Sequence, residues 1–269
     1  MTTLTGNDTQ REGEVQRLLL DRLEARFKSR LAAEIERASV EMARQYEISR
    51  SDPSLPPDHQ RAIERILLDA YAATVDVFGG RILDTAKARS NVMETKSFAE
   101  FFQRLALEYI GNEITRRLIS GIAETTRNIV VNQIQQGQRN GDSIAEIAAR
   151  IRETSPRFSS LRANIIARTE THGAANFAAD RSARATGLKL RKEWISADDH
   201  RTRDFGEGDG VVDEYNHREM NGQTVEMDAP FKMPHKNGQE LDIMFPGEAG
   251  APAAAVINCR CSMAHIVDD

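Results

Sequence analysis

Cysteine is nearly absent: Cys259 and Cys261 are the only two in 269 residues, and with one residue between them they do not form the loop-closing bridge of a disulfide scaffold. The pair fits a reducing compartment. Proline is scarce, and in the first half it occurs only in the punctuation around 51–57. No run of about 18 apolar residues occurs anywhere, and the first residues lack a basic stretch followed by an apolar one, so neither a membrane span nor an export signal is expected. Gly-x-Ser-x-Gly, a phosphate-binding P-loop, a dinucleotide fingerprint and His-Glu-x-x-His are all missing. Those absences remove the common catalytic frames and argue against an enzyme. What remains is 40% hydrophobic and 29% charged, which excludes wholesale disorder and collagen-like repeats and leaves a folded chain long enough for two domains.

The net charge of −5 conceals an uneven distribution. Residues 1–155 are balanced, residues 156–203 hold ten Lys and Arg against five Asp and Glu, and residues 204–269 hold four against thirteen. Only the basic stretch, with Arg157, Arg162, Arg168, Arg181, Arg184, Lys189, Arg191 and Lys192, could serve a polyanion such as duplex DNA. A solvated helix face explains the same residues.

The first half is rich in Leu, Ala, Glu, Arg and Gln and reads as long helices. One spans roughly Glu12 to Glu47, with Leu18, Leu19, Leu23, Phe27, Leu31, Ile35 and Val40 as its apolar stripe. A second opens at an Asp58 N-cap, carries Ile63, Ile66, Leu67, Tyr71 and Val75, and meets a kink or break at Gly79-Gly80. A capping box at Ser97 and Glu100 starts a third, running to about Gln136 and approaching 60 Å at about 1.5 Å per residue. Helices of this length predict an extended bundle or arm over residues 1–155. Asn140-Gly141-Asp142 then breaks the chain, a short helix carries Ile144, Ile147 and Ile151, and Pro156 ends it.

Residues 156–269 predict a smaller, loop-rich domain, which makes the whole chain α+β. A helix from Ser159 to Thr186 is rich in alanine and glycine, so close backbone packing is expected, and Glu170, Thr171, His172 and Asn176 need partners if they lie inside it. Gly187 closes that helix. Strands are predicted over 188–195, at Thr224-Val225, over 243–245 and over 256–267, with a loop over 204–216.

Five of the six histidines and both cysteines lie after residue 170. Cys259 and Cys261, joined by His217, His265, His200 or Glu214, could supply four ligands to a tetrahedral zinc ion. A strand would send the two thiols of Cys-x-Cys to opposite faces unless a bulge or turn intervenes. Asp198-Asp199 followed by Arg201-Thr202-Arg203 is either an acid/base or magnesium-binding pair or a turn capped by its own arginines.

One ordered series remains: Ala167-Arg168-Thr169-Glu170, Asn176, Trp194 with Ser196 and Asp199, Arg201-Thr202-Arg203, His217-x-x-Met220-Asn221-Gly222, Phe245-Pro246-Gly247-Glu248 and Asn258-Cys259-Arg260-Cys261. Over roughly residues 150–269 it resembles the phage Mu F-like head morphogenesis family. The resemblance implies a minor head protein of a tailed phage or prophage. Such a protein acts with the portal protein during procapsid assembly, in the host cytoplasm and then in the virion head, and the scaffold or major capsid protein are further partners. It implies structural roles for Arg168, Thr169, Glu170, Asn176, Trp194, Asp199, Gly222 and Asn258. Some relatives carry Cys-x-x-Cys where this chain has Glu214-Tyr215-Asn216-His217, so Glu214, His217, Cys259 and Cys261 become the zinc quartet. Relatives also lead polymorphic toxins, but no effector is expected after residue 269. Two alternatives stand beside the assembly role: a metal-dependent hydrolase or transferase using Arg168, Glu170, His172, Asp199 and His217, and a DNA-binding protein using residues 157–203.

Overall fold

The computed structural model describes residues 3–89, 101, 104–105, 107–109 and 113–267. Its elements are α1 (Thr9–Ser49), α2 (His59–Arg89), α3 (Glu113–Asn140), α4 (Ile144–Ala185), β1 (Leu190–Ile195), β2 (Thr224–Glu226), β3 (Phe231–Pro234), β4 (Glu240–Ile243), the single turn α5 (Ala253–Val256) and β5 (Ser262–Val267). Long helices followed by small sheets make the chain α+β, as its sequence predicts. The capping box at Ser97 and Glu100 lies outside the described residues.

Local signals explain most boundaries. Asp8 accepts the Arg11 amide at 2.8 Å and caps α1. Ser143 and Glu146 form a reciprocal capping box, each side chain accepting the other residue's amide, at 3.3 and 2.7 Å. Gly187, at φ +69°, closes α4 two residues after its end. On α1 the buried stripe is Leu20, Phe27, Leu31, Ile35, Ala38 and Met42, whereas Leu18 is 62% and Val40 38% exposed. Each of those two lies two positions from a stripe residue, about 200° around the helix, which corrects their assignment to the buried face.

Two predicted interruptions lie within continuous helices. Gly79-Gly80 lies within an uninterrupted α2, because the flanking Val75, Phe78, Ile82 and Leu83 are all buried and outweigh a glycine penalty of about 1 kcal/mol each. Pro156 lies inside a continuous α4 of 42 residues. There the Thr154 and Ser155 hydroxyls donate to the Arg150 and Ile151 carbonyls at 2.9 and 2.5 Å, a back-bonding pattern that bends a helix and makes room for a proline ring.

The chain forms two compact units, Met1–Leu23 with Ala70–Ile110 and Arg168–Asp269, and Glu24–Asp69 with Gly111–Ala167. The second is helical, with a core of Met42, Tyr46, Val130, Ile134, Ile147 and Ile151. The first contains both sheets. One has the antiparallel order β2-β1-β5, with Lys192 opposite His265 and Trp194 opposite Met263, and the other pairs β3 with β4. Leu4 donates its amide to the His265 carbonyl at 2.6 Å and Thr3 bridges Ile266, so the start of the chain covers the free edge of β5. The core of this unit gathers Leu4, Ile82, Ala179, Ala183, Trp194, Met220, Phe231, Met233 and Met263.

The predicted strand over 256–267 begins only at Ser262. Asn258 has a φ of +59° and Cys259 donates to the Val256 carbonyl at 3.1 Å, so 257–261 is a turn. The strand predicted over 243–245 shifts to β4, because Glu248 accepts the Met244 amide at 2.7 Å and turns the chain. Its partner β3 is a strand that the sequence reading omits.

Candidate metal centre

The turn over 257–261 places both thiols of Cys-x-Cys on the same side. Cys261 donates its amide to Cys259 Sγ at 3.4 Å, while Arg260, between them, points to Asp199 and holds it through both guanidinium nitrogens. His217 closes the group, its Nδ1 3.6 Å from Cys259 Sγ and 3.5 Å from Cys261 Sγ. The three ligating atoms all lie within 4.8 Å of one another and all three residues are buried. These edges fit a metal: bonds of about 2.3 Å to sulfur and about 2.0–2.1 Å to nitrogen at the tetrahedral angle give an N···S edge of about 3.5 Å. A His/Cys/Cys donor set of this softness suits zinc among the divalent metals. The pair is also prepared to lose a proton. Hydrogen bonding from Cys259 and then the nearby His217 hold the Cys261 thiol well below its ordinary range, against the effect of burial. Its hydrogen bond with Cys261 and burial push Cys259 up.

The motif residues, spread over 90 positions, support this group. From α4, Thr169 Oγ1 accepts the Asn258 amide at 2.8 Å and Arg168 donates to Asn258 Oδ1 at 2.9 Å, which pins the left-handed residue before the cysteines. Two turns further along, Asn176 Nδ2 donates to the carbonyls of Cys261 at 3.3 Å and Pro246 at 3.0 Å. His217 is fixed through its backbone: its amide donates to the Arg203 carbonyl at 2.9 Å, and its carbonyl accepts the Ser196 hydroxyl. The buried Trp194 ring stands edge-on to the imidazole, 6.2 Å between centroids. Gly222, at φ +79°, makes the turn in which its amide donates to the Trp194 carbonyl at 2.9 Å. Gly173 and Gly247 are in backbone contact: a Cβ on Gly173 would lie 2.9 Å from the Gly247 oxygen. That contact is the close approach foreseen for the small-residue helix.

The structure separates the remaining candidates. Glu214 is exposed and not part of the donor group, which leaves three members of the expected quartet together. His265 is buried in β5 opposite Lys192, and His200 is an exposed turn residue. Glu170 is buried and accepts the Tyr71 hydroxyl at 2.5 Å; burial raises its carboxyl above the ordinary range, opposed by that bond. Asp199 is held well below the carboxylate range by Arg260. Of the residues considered for an enzyme, Arg168 is engaged by Asn258, Glu170 by Tyr71 and Asp199 by Arg260. The basic stretch is also engaged internally in part. Arg162 donates to the Ile122 carbonyl at 3.3 Å, Arg184 binds Asp180 and Asp228, and Lys192 is fully buried with its Nζ on the Met244 carbonyl at 2.8 Å. Two residues of the motif series were assigned no role by the sequence reading, Arg260 as the anchor of the turn and Ser196 as a donor to the His217 carbonyl. The position of Arg260 between the two cysteines was the available signal for the first.

Among the described residues no helix is long and apolar enough to cross a membrane. No curated protein and no solved structure shows a significant match to the chain. The sequence pattern of Phage Mu protein F like protein, by contrast, matches residues 128–264, from within α3 almost to the end of β5 and across every residue of the donor group and its supports. With half of its length covered by that pattern, the chain belongs to the phage Mu protein F like family of head morphogenesis proteins.

Proposed function

We propose that the protein is a minor head protein that acts in procapsid assembly in association with the portal, and that His217, Cys259 and Cys261 bind zinc. Family membership is the observation that supports the assembly role. The portal is the expected first partner, and the scaffold and major capsid protein are further ones. Assembly takes place in the host cytoplasm, and the protein stays in the head near the portal. Nothing in this role requires catalysis.

The zinc reading is supported by the N···S edges and by the convergence of Thr169, Asn176 and Asp199 on the turn. When bound, zinc supplies a cross-link between the 204–217 segment and the turn before β5, two parts of the chain joined by little regular structure. His217 and the cysteines hold the ion, and Asp199, Ser196 and Trp194 orient the elements that carry them.

Quantitative mass spectrometry of purified DNA-filled heads tests the assembly role by counting this chain against the portal and major capsid proteins. A few copies per particle, cross-linking to the portal, is the expected result. Complete absence from filled heads together with no portal binding during assembly contradicts it.

A further inference from the structure

The three donors do not face a closed core. His217, Cys259 and Cys261 line a cleft of about 260 Å³ whose walls include Arg201, Arg203, Arg260, Asp209 and Asp213. Tetrahedral zinc takes four ligands, and among the described residues no fourth histidine, cysteine or carboxylate joins the group. A structural zinc site is closed by protein, whereas this one has three donors and an adjoining space.

The walls indicate what enters. Arg260 is engaged bidentately by Asp199, so its charge is matched. Arg201 is exposed, and its nearest carboxylate, 3.7 Å away, is that same Asp199. Arg203 gives one guanidinium nitrogen to the Ile257 carbonyl and is otherwise turned to the cleft it lines. Planar guanidinium groups match the oxygens of phosphate and carboxylate groups. Asp209 and Asp213 accept backbone amides of their own loop, from Val211 at 2.9 Å and Asp204 at 3.1 Å. Their charges keep the cleft near neutrality and so favour a small oxyanion over a polyanion.

We propose that the centre is open on its cleft side and binds a small phosphate-class oxyanion there, held between the metal and Arg201 with Arg203. This rests on the metal reading given above. The test uses the full chain loaded with Co²⁺, whose visible bands report thiolate ligation and coordination number, titrated with inorganic phosphate in the parent, Arg201→Ala and Arg201→Ala/Arg203→Ala. The expected result is a tetrahedral cobalt spectrum with thiolate charge transfer that shifts saturably with phosphate, with the half-point raised by about tenfold in the double variant. Arg201→Ala alone guards against misfolding, since the hydrogen bond from Arg201 to Asp199 runs from its backbone amide and survives the substitution. A cobalt–thiolate spectrum unmoved by phosphate, or moved equally in all three proteins, overturns the open-site proposal and leaves the metal reading standing. Absence of any cobalt–thiolate signal removes both.

Discussion

Arg260 forms a two-pronged ion pair with Asp199, 61 residues earlier in the chain, and that pair points the residue between the two cysteines away from them. The thiols are thereby left on a common side, facing His217. Asp199→Asn keeps the shape but removes the charge that holds Arg260. It is expected to weaken zinc binding by about 10–100-fold, as loss of an outer-shell partner typically does, in competition against a chromophoric chelator. Unchanged affinity in a folded Asp199→Asn protein would show that the turn forms without the pair.

Acid should destabilise the sheet-bearing unit in two separable steps. His265 is fully buried, and burial pulls its imidazole down to about 4. Its folded value lies below the unfolded one of about 6.5, so the unfolded chain binds the extra proton between them, and stability falls as pH drops from about 6.5 to about 4. Glu12 follows at lower pH. Burial raises its carboxyl, but hydrogen bonds from Arg81, Thr5, Gln16 and Asn7 together outweigh that and bring it down to about 2. Its contribution is present above about 4.5 and lost as pH falls toward 2, on the order of 3 kcal/mol for each residue. Urea unfolding between pH 8 and pH 3 checks this: His265→Gln should flatten the upper step and leave the lower one, and Glu12→Gln should do the reverse.

Gly173→Ala should cost about 1–3 kcal/mol. The added Cβ would meet the Tyr109 hydroxyl at 2.8 Å and the Gly247 backbone oxygen at 2.9 Å, and the second cannot rotate away. Gly247 itself is left-handed, at φ +77°, which anchors the loop against α4. Thermal unfolding of Gly173→Ala at or above the parent temperature would contradict the close approach.

Pro156→Ala should stabilise α4. Proline denies the Arg152 carbonyl its helical donor, and an alanine restores that bond within an unbroken helix. A gain of about 1–3 kcal/mol is expected from denaturant unfolding. A loss would mean that the proline ring itself contributes packing at this point of α4.

The long helices were legible because their apolar residues repeat at the helical period and the end of α4 is marked by Gly187. Gly79-Gly80 misled because local propensity lost to burial on both sides, and Pro156 because the Thr154 and Ser155 hydroxyls bond back to the carbonyls of the preceding turn. The site was half legible. Cysteine and histidine clustering marked the donors, but Glu214 entered the quartet by analogy with relatives and is exposed, while the role of Arg260 depends on a contact spanning 61 residues that no local pattern displays. Lys192 was misread as part of a basic surface because its burial depends on the facing Met244 carbonyl and the Phe231 ring, 5.2 Å away.

Scattered motif residues hold His217, Cys259 and Cys261 ready for a metal. Plasma mass spectrometry of the purified full-length chain, before and after dialysis against a weak chelator, tests it most directly. The expected result is about one zinc ion per chain in the parent, a loss of zinc in Cys259→Ser, Cys261→Ser and His217→Ala, and a lower unfolding temperature in each. A metal-free parent with both thiols titratable, and with unfolding unaffected by added zinc, would contradict it.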